Sequence, residues 1–466
     1  MEQVLTAAMV ASAAGGELVA GDPAAVVSGF SIDSRTLVPG DLFFAIRGER
    51  FDGHAFLSDA VDRGASGVII SDATSAGGLP SATLVILVAD TVAGLQSLAR
   101  YIRRESGAKV TAITGSAGKT TTKETAAAFL ERRYSVVRNR GNLNNHIGLP
   151  LSLLELRHNP EMAVLELGMN RVGEISTLVR IAEPDVRVWT NVGPAHLEFF
   201  GSIEAIADAK AEILERARPA DVLVVNADDP LVMARARRFA GRVVTFGLSD
   251  AAGVRASDVH DLGLEGIEAT VHTPEGAISL RTPILGRPNL ANVLAAMAVA
   301  LQFSIPLSEI VSAAASLRPM HHRGEVHRLA RGVTVIDDSY NSNPVALEQA
   351  LQILGSQQKV TRRIAIVGEM LELGDASIAW HERCGRAAAA AHVNGLVTVG
   401  GEAARALGRA AAAAGVTATD VTHVSTSREA ADVAARLVTS GDVVLVKGSR
   451  GTRTEVVVER LRQEFG

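Results

Sequence analysis

The chain has 466 residues, 47% of them hydrophobic and 21% charged, with a formal net charge of −5. That length is too great for one ordinary core and predicts two or three domains, while the acidic balance and the lack of a basic stripe argue against a nucleic-acid binder. The one cysteine, Cys384, excludes a disulfide framework or a cysteine-based zinc site and reads as a small helix residue.

The N-terminal "MEQVLTAAMVASAAGG" has apolar stretches like a secretory signal. It lacks the positive n-region a signal needs, because Glu2 is acidic and the first Lys or Arg is Arg35. It reads instead as a first helix ending at Gly15-Gly16. Up to about residue 107, "GDLFFAI", "GVIIS" and "LVILV" read as short strands. From Lys109, strands alternate with helices: "KVTAIT", "AVLEL", "VRVWTNV", "DVLVVN" and "RVVTF". This alternation predicts a parallel sheet with crossover helices. A Gly- and Thr-rich patch from Val254 to Leu285 predicts a small antiparallel sheet, followed by a helix at Asn289.

From roughly residue 320, "VTVIDD", "RIAIVGEM", "GLVTVG", "THVST" and "DVVLVKGS" predict another open α/β domain, where ligands sit beyond the carboxyl ends of the strands. The alanine runs at 387–391 and 410–414 read as helix, not linker. There is no solenoid-type repeat. The longest later apolar stretch, "LANVLAAMAVALQF", is too short to span a bilayer and carries Asn292, so the protein is expected to be soluble and cytoplasmic.

Chemistry enters at "TGSAGKTTTKE", Thr114 to Glu124. The common phosphate loop, G-x-x-x-x-G-K-[ST], would place a glycine where Ile113 stands; here the first glycine is Gly115. The surroundings still fit a phosphate site. A buried strand precedes it and an amphipathic helix follows, so the turn of Gly115, Ser116, Ala117 and Gly118 leaves backbone N–H groups and the positive end of a helix dipole facing a ligand. Lys119 supplies a point charge for terminal phosphates, and the Thr120 hydroxyl can ligate Mg²⁺, with Thr121 beside it.

Four polar clusters follow apolar strands. They are "RNRGNLNNHIGLPLSLL" with Asn142, Asn144 and Asn145; "LELGMN" with Glu166; "TNVGPAHLEFFGS" with His196; and "ADAKAEILERA" with Lys210 on a helix. Singly, none is strong: the Asn cluster reads also as a plain turn, Glu166 equally well as a paired core carboxylate, His196 more usually as a structural turn histidine, and Lys210 by default as part of a solvated helix face. Their order behind a phosphate loop is the informative part.

These segments, with "SIDSRTLVPGDLFFAIRGERFDGHAF", "DDSYNSNP", "VGEMLELG" and "VLVKGSRGTRTE", resemble the Mur ligase family over nearly the whole chain. The short G-x-x-G-K-T loop is the family's own. The resemblance implies three α/β domains: a small substrate domain (1–107) for the uridine-diphosphate end, a central P-loop-type ATPase domain with a mostly parallel sheet (108–318), and a C-terminal Rossmann-like domain (319–466). It also implies ATP-dependent amide formation through an acyl phosphate. "DDSYNSNP" and "GNLNN" point to the member that joins D-alanyl-D-alanine to UDP-N-acetylmuramoyl-tripeptide for peptidoglycan synthesis.

Residue by residue, the resemblance puts Thr120, Glu166, His196 and Lys210 around Mg²⁺, the last aligning with a lysine that many members carbamylate. With Lys119, the latter three form the expected catalytic set. Asn289 and Asn292 match the adenine-contacting segment, Arg323 and Asp338 reach the nucleotide from the third domain, and Asp338 alternatively caps a helix. Ser34 and Arg35 fall in the uridine-diphosphate segment, and Asn142 and Asn144 on the substrate side. Ala117, His146 and Ser342 depart from the family's usual Asn, acidic residue and Ala. A monomer is expected. The rival readings are another Mur-type amino-acid ligase, a P-loop ATPase or kinase that makes no amide, and a nucleotide-binding regulator without catalysis.

Overall fold

A computed structural model describes residues 4–48, 51–194, 197–358 and 360–466. It contains three α/β domains, each built on its own sheet, with a two-stranded ribbon of Leu5–Thr6 and Val26–Val27 beside the first. The helix Ala7–Ala13 is capped by Thr6, and the chain turns at Gly15 with φ +69°, close to the predicted stop. The first sheet runs in the order Glu17–Ala20, Leu84–Leu87, Gly67–Ile70, Asp41–Phe44, Gly29–Ser31, and only its first pair is antiparallel.

The helix Thr91–Glu105 ties this domain to the next. Asp90 caps it, and Leu95, Leu98, Ala99 and Ile102 at helical spacing bury one face. From its last turn Arg103 donates to the Ala182 carbonyl at 2.8 Å and pairs with Asp185 at 2.9 Å. One continuous apolar core therefore runs from Leu5 to residues of the central domain.

Among the described residues the central sheet has nine strands. Five predicted strands are present as Lys109–Thr114, Met162–Glu166, Val186–Trp189, Val222–Asn226 and Arg242–Gly247, all parallel. Lys109–Thr114 lies between Met162–Glu166 and Val186–Trp189, so the order reverses beside it, which opens a crevice at its carboxyl end. Val136–Arg138 forms the far edge. The patch from Val254 to Leu285 is antiparallel within itself but is not a separate sheet. Val254–Asp261 pairs with Arg242–Gly247 through Phe246–Val254 and Gly247–Arg255, extending the central sheet to Gly276–Thr282. The helix Arg287–Gln302, small-residue-rich and buried on most sides, packs against the helix Lys119–Leu130.

Among the described residues the third sheet has six strands, in the order Glu325–Arg328, Thr334–Asp338, Val443–Lys447, Arg363–Gly368, Gly395–Val399, Val421–Val424. The five predicted from apolar runs are parallel, and Glu325–Arg328 adds an antiparallel edge. Both alanine runs fall at the C-terminal ends of the helices Ser377–Ala390 and Glu402–Ala413, which pack together so closely that a Cβ on Gly385 would meet the Leu407 carbonyl.

Candidate active site

Four parallel strands of the central sheet end at one place: the 115–118 turn follows Thr114, Glu166 ends its own strand, Thr190 and Asn191 follow Trp189, and the Asn-rich loop follows Arg138. Gly118 precedes the helix Lys119–Leu130 with φ +80°, and a Cβ there would meet the Asn292 carboxamide. Glycine is thus required for conformation and for space.

The turn is strapped from the neighbouring strand. Asn191 Oδ1 accepts from the Ala117 N–H at 2.9 Å and its Nδ2 donates to the Ala117 carbonyl at 3.1 Å. The Thr190 hydroxyl donates to the same carbonyl at 2.7 Å. Ser116 N–H donates to the Asn191 carbonyl at 3.1 Å, and the Ser116 hydroxyl exchanges bonds with Gly193. The amides of Ser116 and Ala117 are therefore committed to the protein. The groups left to face an anion are the amide of Gly118 and those of the first helical turn, Lys119, Thr120 and Thr121, which have no intrahelical acceptor.

Lys119 Nζ donates to the Gly115 carbonyl at 2.8 Å. Burial pushes its pKa down, and nearby Arg323 adds to this against the opposing pull of Glu166. Thr120 Oγ1 donates to Glu166 Oε2 at 2.6 Å, and Asn144 Nδ2 donates to Oε1 at 2.8 Å. Burial alone would raise the Glu166 carboxyl, but the Lys119 charge, both hydrogen bonds and the Arg323 charge together hold it below the usual carboxylate range. Lys210, ending the helix Ile203–Lys210, is 2% exposed. Burial and then the Lys119 charge push its pKa well below the ordinary lysine value, against the pull of Glu166.

Sequence reasoning missed the supports of Glu166. Asn139 accepts the Glu166 N–H at 3.0 Å and donates to its carbonyl at 3.1 Å, while buried Lys123 donates to the Asn139 carbonyl at 2.5 Å. Both lie inside the segments "TGSAGKTTTKE" and "RNRGNLNNHIGLPLSLL", but nothing in those spacings singles them out. Lys123 does follow Lys119 by one helical turn, a spacing that places the two on one face.

The third domain closes the opposite side. Arg323 stacks over Tyr340, with 4.0 Å from its guanidinium carbon to the ring centre. Asp338 accepts from Lys447 Nζ at 2.6 Å, and Lys447, itself 2% exposed, also donates to the Asn341 carbonyl at 3.0 Å. Asp338 is not a helix cap; Asn343 fills that role for Pro344–Ser356, accepting from Ala346 N–H at 2.9 Å. Together these residues line a cleft of about 880 Å³ between the central and third domains.

Ser116 to Thr121, Asn142, Asn144, Glu166, Lys210, Asn289, Asn292, Arg323 and Asp338 all line the cleft. Asn292 does so from beneath the loop, with its carboxamide bonded to Asn289 and Thr122. Gly115 lies behind the lining, bonded to Lys119. Ser34 and Arg35 are not part of it. Ser34 is buried, and Arg35 is exposed with its guanidinium folded onto Asp33 at 2.7 Å. Those hydrogen bonds lower the Asp33 pKa to about 2. His196 lies outside the described residues. Of the departures, Ala117 still offers its backbone to Asn191, His146 lines the cleft and accepts from Gln96 Nε2 through its carbonyl, and the buried Ser342 hydroxyl in the cleft wall has no hydrogen-bond partner.

Matched against known families, residues 26–140 fit the Mur ligase family catalytic domain, 113–300 the Mur ligase middle domain, and 322–450 the Mur ligase glutamate ligase domain. The chain is 34% identical over 439 residues to the UDP-N-acetylmuramoyl-tripeptide–D-alanyl-D-alanine ligase of Bacillus subtilis (strain 168), covering 94% of this chain and 93% of that one. Among solved structures it superposes on MurF from Acinetobacter baumannii with a TM-score of 0.89, 32% identity and 99% of each chain covered. It superposes on the MurF ligase of Thermotoga maritima in complex with ADP with a TM-score of 0.82, 30% identity, and 94% of this chain and 98% of that one covered.

Proposed function

The chain belongs to the Mur ligase family, and from that premise we propose that it joins D-alanyl-D-alanine to UDP-N-acetylmuramoyl-tripeptide with cleavage of ATP to ADP and phosphate. The observation that carries this reading is the single cleft on which the phosphate loop, Glu166, Lys210, Arg323 and Asp338 converge from two domains. We take the domain borders as 1–107, 108–318 and 319–466.

A carboxylate is a poor electrophile, so an amide is made in water only after activation. Transfer of the γ-phosphoryl group to the tripeptide carboxylate makes an acyl phosphate, the dipeptide amine attacks its carbonyl, and inorganic phosphate leaves. Both partners of the first step are anions, so positioning and charge neutralisation are the main needs. Lys119 and the first-turn amides would hold the terminal phosphates. Arg323 would meet them from the facing domain, whose approach excludes water from the acyl phosphate.

The donor set fits Mg²⁺. The Thr120 hydroxyl and Glu166 carboxylate are hard oxygen ligands already 2.6 Å apart, and Asn144 orients the second carboxylate oxygen. The ion supplies charge neutralisation of the phosphates when bound. The Lys210 amine is not such a ligand. Its lowered pKa favours the neutral amine, the form that adds CO₂, and the resulting carbamate would present oxygens. Asn142 and Asn144 would face the acceptor peptide, and Asn289 and Asn292 the adenine side. The segment with Ser34 and Arg35 would hold the uridine-diphosphate end once Arg35 leaves Asp33.

We read the protein as a cytoplasmic monomer. The cleft is completed by one chain, and no helix among the described residues is long and apolar enough to cross a membrane. The deciding measurement is phosphate release with ATP, Mg²⁺ and UDP-N-acetylmuramoyl-tripeptide, with and without D-alanyl-D-alanine. Release that requires both substrates and yields the UDP-pentapeptide is expected. Release with another amine would reassign the substrate within the family, and release with none would leave an ATPase.

A further inference from the structure

The edge hairpin of the third domain carries a second cluster of ligand-type side chains. Glu325 and Asp337 pair directly across the antiparallel ladder, and His327 follows Glu325 by two residues, so all three project from one face. Asp337 is fully buried, and two carboxylates directly opposite each other repel. His327 Nε2 is buried with no hydrogen-bond partner, 3.6 Å from Asp337 Oδ2 and 3.8 Å from Glu325 Oε2.

The three donor atoms lie within 4.8 Å of one another. In a tetrahedral site with bonds of about 2.0–2.2 Å, ligand atoms sit roughly 3.3–3.6 Å apart, so a small contraction would bring these onto one ion. The carboxylates already have orienting partners. His322 Nδ1 is 2.7 Å from Asp337 Oδ2, and His321 Nδ1 is 3.1 Å from Glu325 Oε2, the arrangement that holds ligating carboxylates in place. An imidazole with two carboxylates suits a first-row transition ion, and the nitrogen disfavours Mg²⁺ or Ca²⁺.

We propose that Glu325, His327 and Asp337 form a binding site for a divalent transition cation of the Zn²⁺ class, separate from the phosphate-loop site. Through His322 the ion ties the turn that carries Arg323 to the strand Thr334–Asp338, and so steadies the cleft's facing wall.

The test is calorimetric titration of the full chain with Zn²⁺ in the presence of ADP and excess Mg²⁺, which occupies the phosphate-loop site. One Zn²⁺ per chain is expected for the wild type. His327→Ala and Glu325→Gln should each weaken it by at least about tenfold, as ligand and outer-shell losses do, while His260→Ala, at an exposed position of the strand Val254–Asp261, should not. Circular dichroism checks that the variants fold, and the visible absorption of the Co²⁺-loaded chain should disappear with His327→Ala. Absence of wild-type binding, or wild-type affinity in either the His327 or the Glu325 variant, overturns the site.

Discussion

At the scale of single residues, Lys119, Lys210 and Glu166 share an environment none would choose alone. Glu166 stays ionised because Lys119, Thr120 and Asn144 oppose its burial; Lys210, deeper and beside another cation, is pushed toward neutrality. On the role proposed for Lys119, replacing it with Ala removes a charge that would meet the transferring phosphoryl group, and kcat should fall roughly 10²–10³-fold, with folding unchanged by circular dichroism. Lys210 also makes a stability prediction. Between its lowered folded-state pKa and 10.5 the unfolded chain binds a proton the folded chain has released, so its contribution to stability rises with pH through that window. In bicarbonate-free buffer, urea midpoints should show the wild type gaining on Lys210→Met as pH rises from neutral into the mildly alkaline range. Cys384 is simpler. Burial, and then Glu348, push its thiol up to about 12, so it should resist a thiol reagent until the protein unfolds.

At the scale of elements, the phosphate loop depends on the next strand. Asn191 holds the Ala117 N–H and carbonyl together, so Asn191→Ala loosens the turn, leaving the Ala117 N–H without its partner and the carbonyl to Thr190 alone. The KM for ATP should rise about tenfold, the size of effect expected for roughly 1.4 kcal/mol of lost charge-assisted positioning. At the facing wall, Asn343 caps Pro344–Ser356, whose first turn lines the cleft. Asn343→Ala should cost about 1 kcal/mol in denaturant unfolding. The elements most legible in the sequence were the buried parallel strands, because continuous β-branched runs have few other uses. Glu325–Arg328 was not, since "EVHR" is a charged edge strand with no apolar run, defined only by its pairing with Thr334–Asp338. The hairpins from Val254 to Thr282 were legible as strands. Their attachment to the central sheet was not, because two residue pairs, Phe246–Val254 and Gly247–Arg255, decide it.

At the scale of the whole molecule, the cleft needs two domains, and its nucleotide would bridge them. A ligand touching both walls should raise the unfolding free energy of the pair and bring their transitions together. ADP with Mg²⁺ at a hundred times its Kd should add about 2.7 kcal/mol. Arg323→Ala should reduce that gain while leaving the unliganded transition in place, read by calorimetric scans with and without the nucleotide. Arg323 is suited to this test because its guanidinium stacks on Tyr340 within its own domain and its charge reaches Lys119 and Glu166 in the other.

The sequence by itself determined the alternation of strands and helices, the phosphate loop and the polar residues that follow apolar runs, because these depend on local periodicity and on a few residue types at short spacing. Thr120, Glu166 and Lys210, singled out that way, and Arg323 and Asp338, supplied by the family resemblance, all line the cleft that the structure describes. Only the tertiary structure decided which loop amides are free, that Asn139 and Lys123 brace Glu166, and that Lys447 answers Asp338 across 109 residues of chain. These are competitions among partners brought together by folding, and burial settles them: a polar group taken out of water bonds to whatever the sheet places beside it.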